Sequence, residues 1–276
     1  MTDPADADAA SATRDLISNL ASRRSFLKGG AAMTVAAGVG LTSLPALAAT
    51  RSTSTAAQIL TVARTAEQLA VTFYTNGIRH AQALRLDASE VEYLKAALIE
   101  EQIHQTFFTA NGGTSLADTF SFPLGDETFE NLGSFIATQQ QLEGVFDSAF
   151  LAAVREFAEL GSPRLAQIAA QVAMVESEHR VLGREIAASH GISVLPAPSA
   201  GQGTSPADNW AYAPALLDFV KNAPGVVSAA GYLSPVGDNS YKYHRVFFNG
   251  SDEDTLGLSA VARKILYKDG PPSARP

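Results

Sequence analysis

No cysteine occurs anywhere in the 276 residues. That absence excludes disulfide staples, zinc ribbons, iron–sulfur clusters and thiol catalysis together. Basic residues are also scarce, with 20 Lys+Arg against 28 Asp+Glu and a formal net charge of −8. Such a balance offers no positive surface for nucleic acid. A bilayer-spanning helix needs about 20 predominantly apolar residues. The run from Gly29 to Leu44 approaches that length, but Gly29, Gly30, Gly38, Gly40, Thr34, Thr42 and Ser43 dilute it, and no span is expected in the rest of the chain.

What stands before and after that run reads as an address. Ser22-Arg23-Arg24-Ser25-Phe26-Leu27-Lys28 resembles a twin-arginine export signal, and Ala46-Leu47-Ala48 is a small-residue cleavage site. Residues 1–48 are therefore read as a signal peptide, with the mature chain starting near Ala49 and acting in the periplasm or outside the cell. The first 48 residues hold four basic and four acidic side chains, so the mature part keeps the −8 balance. Twin-arginine transport, as the resemblance implies, carries folded proteins and suits cargo whose cofactor is inserted in the cytoplasm. Roughly 228 residues remain, enough for one sizeable domain with decorations.

Two of the five histidines follow a glutamate by three residues, in Glu101-x-x-His104 and Glu176-x-x-His179. A helix turns about 100° and rises about 1.5 Å per residue, so residues i and i+3 leave one face a turn apart and can reach one metal ion. Each pair is preceded by a lone glutamate, Glu67 or Glu143, at separations of 34 and 33 residues from Glu101 and Glu176. One helical hairpin used twice would bring four carboxylates and two imidazoles to one internal site.

Helical periodicity supports that organisation. Ile59, Val62, Ala63, Ala66, Leu69, Ala70 and Phe73 predict a helix from about Thr55 to Leu84, with Glu67 on its apolar stripe. A buried glutamate is costly unless something positive meets it, so the placement asks for a partner. Ser89 with Glu92 reads as the capping box of a second helix ending at Asn111-Gly112-Gly113. Residues 113–127 are too long for a tight turn and can cross the length of a bundle, with Phe120 and Phe122 as anchors, setting helices two and three parallel. A third helix is expected from about Phe129 to Leu160, and a fourth from Ser162 as N-cap and Pro163 to His190-Gly191.

After Gly191, prolines 196, 198 and 206 and glycines 201 and 203 make a linker. Beyond it the sequence predicts short helices at 214–233 broken at Pro224-Gly225, a strand at Tyr241–Phe248 and a last helix at Asp254–Tyr267. The expected architecture is all-α: a four-helix bundle over residues 49–191 with a long helix 2–3 connection, and an irregular extension over 192–276 packed on the bundle or on a partner subunit.

The order lone Glu, Glu-x-x-His, lone Glu, Glu-x-x-His resembles the ferritin-like di-iron/di-manganese carboxylate superfamily, with its bacterioferritin- and rubrerythrin-type ligand set, over about residues 55–190. It is most similar to exported desiccation- and stress-associated ferritin-like proteins. The resemblance implies that Glu67 and His104 bind one ion, Glu143 and His179 the other, and that Glu101 and Glu176 bridge two Fe or two Mn ions. It implies redox chemistry on peroxide or on Fe(II) and dioxygen, without settling whether the chain is an enzyme. A non-enzymatic stress-protection scaffold and an iron store are the alternatives, and a homo-oligomer is left open. A rubrerythrin electron-transfer module would need cysteines, and manganese catalases carry one carboxylate fewer at the second Glu-x-x-His.

Further positions carry weaker signals. Tyr74 lies two turns beyond Glu67 and reads as a boundary residue rather than a redox neighbour. Gln139, Gln140 and Asp147 flank Glu143 by about a turn, Asp147 being the strongest candidate to support a ligand. Glu100 and Glu178 point about 100° away from the ligands and read as solvated. His80, His190 and His244 read as helix-end or surface residues. Two competing readings leave the cluster without metal: one places these glutamates on solvated faces, the other keeps the bundle with its carboxylates sharing protons.

Overall fold

Three of the four long helices begin where a side chain satisfies backbone donors that have no partner within the helix. Helix α1, Ala56–Arg79, starts in a capping box of Thr55 and Gln58. Helix α2, Ala88–Ala110, starts in one formed by Asp87 and Glu90. After a single helical turn, α3 at Glu127–Glu130, the Asn131 side chain accepts from Ser134 N and opens α4, Leu132–Glu159. Helix α5, Pro163–Ser189, has Pro in its first turn. Gly161 and Gly191, at φ of 70° and 69°, supply the left-handed residues that end α4 and α5. This computed structural model describes residues 54–192, 217–246, 256–259 and 261–262; the expected signal at 1–48 and the linker at 193–216 lie outside the described residues.

The chain is all-α, organised as a four-helix bundle of α1, α2, α4 and α5. Phe108 near the end of α2 stacks on Phe150 in the second half of α4, with ring centroids 5.7 Å apart. Gly77 near the end of α1 meets Phe135 near the start of α4, where a Cβ would come within 2.6 Å of the ring. Ser189 at the end of α5 donates to Glu90 at the start of α2. Helix α1 is thus antiparallel to α2 and α4, and α2 runs parallel to α4, as the long connection predicts. Among the described residues no helix is long and apolar enough to cross a membrane.

The connection earns its length by closing one end of the bundle. Phe120 and Phe122 are both fully buried. Phe122 sits edge-on to Phe129 with centroids 4.9 Å apart, while Phe73 stacks on Phe135 at 4.5 Å, contacts each worth about 0.5–1.5 kcal/mol beyond area burial. Strand β1, Thr119–Phe120, pairs antiparallel with β2, Tyr241–Lys242, in the register Thr119↔Lys242. Gln102 of α2 holds the residues that follow β2, with Tyr243 Oη 3.2 Å from its Nε2 and Val246 N donating to its Oε1 at 3.2 Å.

On the α1–α4 side the extension contributes a 3₁₀ turn, Val220–Asn222, and helix α6, Ala223–Ala229. Glu156 of α4 is fully buried and accepts from Ser54 N at 2.6 Å and Val220 N at 2.8 Å. One carboxylate therefore fastens the residue before the N-cap of α1 and the extension to the same helix. Glu156→Leu leaves both amides buried without an acceptor and is expected to cost about 2–4 kcal/mol. Thermal melting checks this, and an unchanged Tm contradicts the clasp.

Several boundaries depart from the sequence expectation. Helix α1 stops at Arg79, with turns over 80–85, and His80 caps it with its N–H on Asn76 O and Ile78 O. The capping box of α2 is Asp87/Glu90 rather than Ser89/Glu92, since Asp87 adopts the extended cap backbone and its carboxylate reaches both Ser89 N and Glu90 N. Asn131 splits the expected third helix into α3 and α4. Ser162 holds the N-cap position of α5, but its side chain makes no capping bond. Pro224 starts α6 rather than breaking it, as a first-turn proline forfeits no helical bond. Of the strand expected at 241–248, Tyr241–Lys242 pairs with β1 among the described residues, and Tyr243 N donates to Asp118 O at 2.8 Å just beyond it. Of the last expected helix, the described residues 258–259 and 261–262 are helical.

Candidate metal centre

All six side chains singled out by spacing meet inside the bundle. Glu67 comes from α1, Glu101 and His104 from α2, Glu143 from α4, and Glu176 and His179 from α5. They form two overlapping groups, Glu67–Glu101–His104–Glu176 and Glu101–Glu143–Glu176–His179, and within each group the offered ligand atoms lie within 4.8 Å of one another. Glu101 and Glu176 belong to both groups. Glu67, Glu101 and Glu176 are fully buried, and Glu143 and His179 are 1% exposed. Burial on this scale rules out the reading in which these glutamates face solvent.

The cluster is under-satisfied by protein alone. Both oxygens of Glu67, Glu101 and Glu176, one oxygen of Glu143, and Nδ1 of His104 and His179 are buried without a hydrogen-bond partner. His179 Nδ1 lies 3.0 Å from Glu101 Oε1, and His104 Nδ1 lies 3.5 Å from Glu101 Oε2. Buried polar atoms are normally paired, because an orphan costs roughly 1–3 kcal/mol each. So many converging lone pairs on oxygen and nitrogen fit a pair of hard or borderline cations. The buried carboxylate–histidine cluster is compatible with a dinuclear metal site.

Electrostatics separate the carboxylates. Burial, reinforced by the charge of Glu101, pushes the Glu67 and Glu176 carboxyls well above the ordinary range. Burial would raise Glu101 as well, but the close approach of Glu67, His104 and His179 holds it below that range. His179 is raised despite its burial, because Tyr74, Tyr93, Glu100 and Glu101 surround it.

A surrounding set of residues holds Glu143 and His179 in place, and the sequence identified it only in part. Glu100 is not simply solvated: its Oε2 lies 3.1 Å from His179 Nε2, and its side chain is 34% exposed. That contact fixes the ring so that Nδ1 faces the cluster. Tyr74 is fully buried and donates its hydroxyl to Glu143 Oε1, so it is a neighbour of the site rather than a boundary residue. Burial, with Glu143 next to it, pushes the Tyr74 hydroxyl well up. Gln139 Nε2 donates to Tyr74 Oη at 3.1 Å and to His179 O at 3.0 Å. Gly183 makes room for it, since a Cβ there would come within 1.7 Å of Gln139 Oε1. Tyr93 Oη also donates to His179 O, at 2.9 Å.

Asp147, expected to be the strongest of the supporting residues, instead pairs with Arg180 at 3.3 Å. Gln140 reaches Arg180 O at 2.9 Å. Glu178 is exposed, and His80 and His190 cap helix ends as expected. Glu100→Ala is expected to lower metal affinity about 10–100-fold, the usual range when the partner of a ligating histidine is lost. Competition titration against a chelator measures it, and unchanged affinity would mean that packing alone orients His179.

Residues 55–188 match the family model of the ferritin-like domain, just under half of the chain. No curated protein and no solved structure matches the chain significantly.

Proposed function

From a ferritin-like domain at residues 55–188, we propose that the chain is an exported dinuclear metal protein that acts in oxidative or desiccation stress, with redox activity towards peroxide or towards Fe(II) and dioxygen. The observation that carries this reading is the double membership of Glu101 and Glu176 in two four-residue groups, the arrangement a pair of bridged ions needs. Export rests on Arg23-Arg24, the diluted apolar run and the Ala46-Leu47-Ala48 box.

In this reading Glu67 and His104 would hold one Fe or Mn ion and Glu143 and His179 the second, with Glu101 and Glu176 available to both. When bound, the pair supplies one electron per ion, which together take dioxygen to hydrogen peroxide, or peroxide to water, with two protons consumed in either case. The chain prepares that chemistry in three ways. Tyr74 pins Glu143 by its hydroxyl, and Glu100 pins His179 through Nε2. Burial pushes the Glu67 and Glu176 carboxyls up, so cations would compete with protons for them. The packed interior keeps bulk water away from the reacting centre.

The test is elemental analysis of protein expressed with added iron and manganese, followed by oxygen-electrode assays. Close to two ions per chain is expected, whereas a content below about one ion after loading leaves a helical scaffold and removes the enzyme reading. Fe(II)-dependent oxygen uptake identifies a ferroxidase, oxygen evolution from peroxide a catalase-like activity. Retention of many ferric ions per chain would favour iron storage.

A further inference from the structure

We propose that the two positions of the metal centre are unequal: Glu143 and His179 offer a tight position that fills first, and Glu67 and His104 a weaker one whose ion exchanges with solvent. This rests on the dinuclear reading of the cluster and adds an order of loading to it.

The difference lies in what holds each pair of unshared ligands. Tyr74 donates its hydroxyl to Glu143 Oε1, which leaves Glu143 Oε2 buried and unpartnered. Glu100 Oε2 sits 3.1 Å from His179 Nε2, so Nδ1 of that ring is left for the cluster. The holders are also joined to one another, since Gln139 Nε2 lies 3.1 Å from Tyr74 Oη and 3.0 Å from His179 O. Tyr93 Oη donates to the same carbonyl at 2.9 Å. Tyr74 belongs to α1, Tyr93 and Glu100 to α2, Gln139 to α4 and His179 to α5. All four long helices therefore fix this half.

The hairpin repeat places an apolar residue at each equivalent point of the other half. Tyr74 stands seven residues after Glu67, and seven after Glu143 stands Phe150. Gln139 precedes Glu143 by four residues, where Ala63 precedes Glu67. Glu100 and Tyr93 lie one and eight residues before Glu101, and their counterparts before Glu176 are Val175 and Ile168. None of the four replacements can hold a carboxylate or an imidazole by a side-chain hydrogen bond. Accordingly, both oxygens of Glu67 and Nδ1 of His104 are buried without a hydrogen-bond partner. Among the described residues the ion-pair neighbours of His104 Nδ1 are cluster members, Glu67 at 3.6 Å and Glu101 at 3.5 Å. The His104 side chain is 13% exposed against 1% for His179, so the looser pair is also the one nearer solvent.

Ligands already held in place lose less freedom on binding, which favours the fixed half. Losing the partner of a ligating histidine costs about 10–100-fold in affinity, and that sets the expected gap at about tenfold or more. An exchangeable ion beside a resident one suits Fe(II) that arrives as substrate.

Metal-free protein crystallised with one equivalent of Mn(II) tests the order. Anomalous density is expected at the Glu143/His179 position, with the Glu67/His104 position filling only at the second equivalent. In solution, competition against a chelator should give two steps about tenfold or more apart. Tyr74→Phe is expected to weaken the first step about tenfold and leave the second unchanged, whereas Phe150→Tyr, which supplies the hydroxyl at the repeat-equivalent place, strengthens the second. Equal filling of both positions at one equivalent, or earlier filling of the Glu67/His104 position, overturns the order while leaving the dinuclear centre standing. A first step that neither Tyr74→Phe nor Glu100→Ala weakens overturns the role of these two as positioning residues. Protein that takes up no metal overturns the centre and the order together.

Discussion

Glu176→Met is expected to abolish loading at both metal positions and, in metal-free protein, to raise Tm. Glu176 belongs to both groups of candidate ligands, so its loss removes one donor from each ion at once. Without cations its carboxyl is a liability. It is fully buried, neither oxygen has a hydrogen-bond partner, and burial together with Glu101 and Glu143 pushes its pKa well up. Methionine matches its length and is apolar, and replacing buried polar groups by well-packed apolar ones is neutral to stabilising by about 1–3 kcal/mol. For a domain of this size that is a rise of roughly 3–10 °C. Glu101→Met should abolish loading too but lower the apo Tm, since Glu101 is the negative partner of both histidines. Calorimetry of chelator-treated protein separates the two, and a lower Tm for apo Glu176→Met would show that this carboxylate supports the fold.

Acidity should move the metal-free and metal-loaded proteins in opposite directions. Glu67, Glu176 and His179 all have folded pKa values raised above their ordinary values of 4.5, 4.5 and 6.5. A raised folded pKa means that the native state holds the proton more tightly, so its stabilising contribution is complete below the ordinary value and fades as pH climbs through the folded one. Glu101 has the opposite sign and loses its contribution as pH falls below the carboxylate range. Above pH 4.5 the three raised groups dominate, so the apo Tm is expected to fall steadily from about pH 5 to pH 8. Cations bind only deprotonated carboxylates and neutral imidazole, so the loaded protein should gain stability over the same interval. Parallel curves with and without metal would contradict cation binding by these groups.

The bundle and its six inward groups were legible because both rest on one local rule, the helical period. Apolar spacing set the four long helices, and the i, i+3 spacing of Glu101–His104 and Glu176–His179 put each pair on one face. Legibility failed where the answer depends on which helix lies alongside. Glu100 points away from Glu101 on α2, yet α5 packs beside that flank and brings His179 within reach. Tyr74 looks unremarkable until α4 places Glu143 against its hydroxyl. Asp147 had the right spacing from Glu143, but Arg180 across the α4–α5 seam offered a stronger partner. Capping misled because Asp87 and Ser89 both sit three residues before a glutamate, and only backbone conformation decides between them. The extension has no sustained period, and its place is set by distant contacts such as those of Glu156 and Gln102.

Anomalous diffraction from crystals soaked in iron or manganese, collected at the absorption edge of the metal, tests the centre most directly. Two peaks are expected inside the bundle, both contacted by Glu101 and Glu176, one also by Glu67 and His104 and the other by Glu143 and His179. A bundle that takes up metal only on its surface, or none at all, contradicts the dinuclear centre.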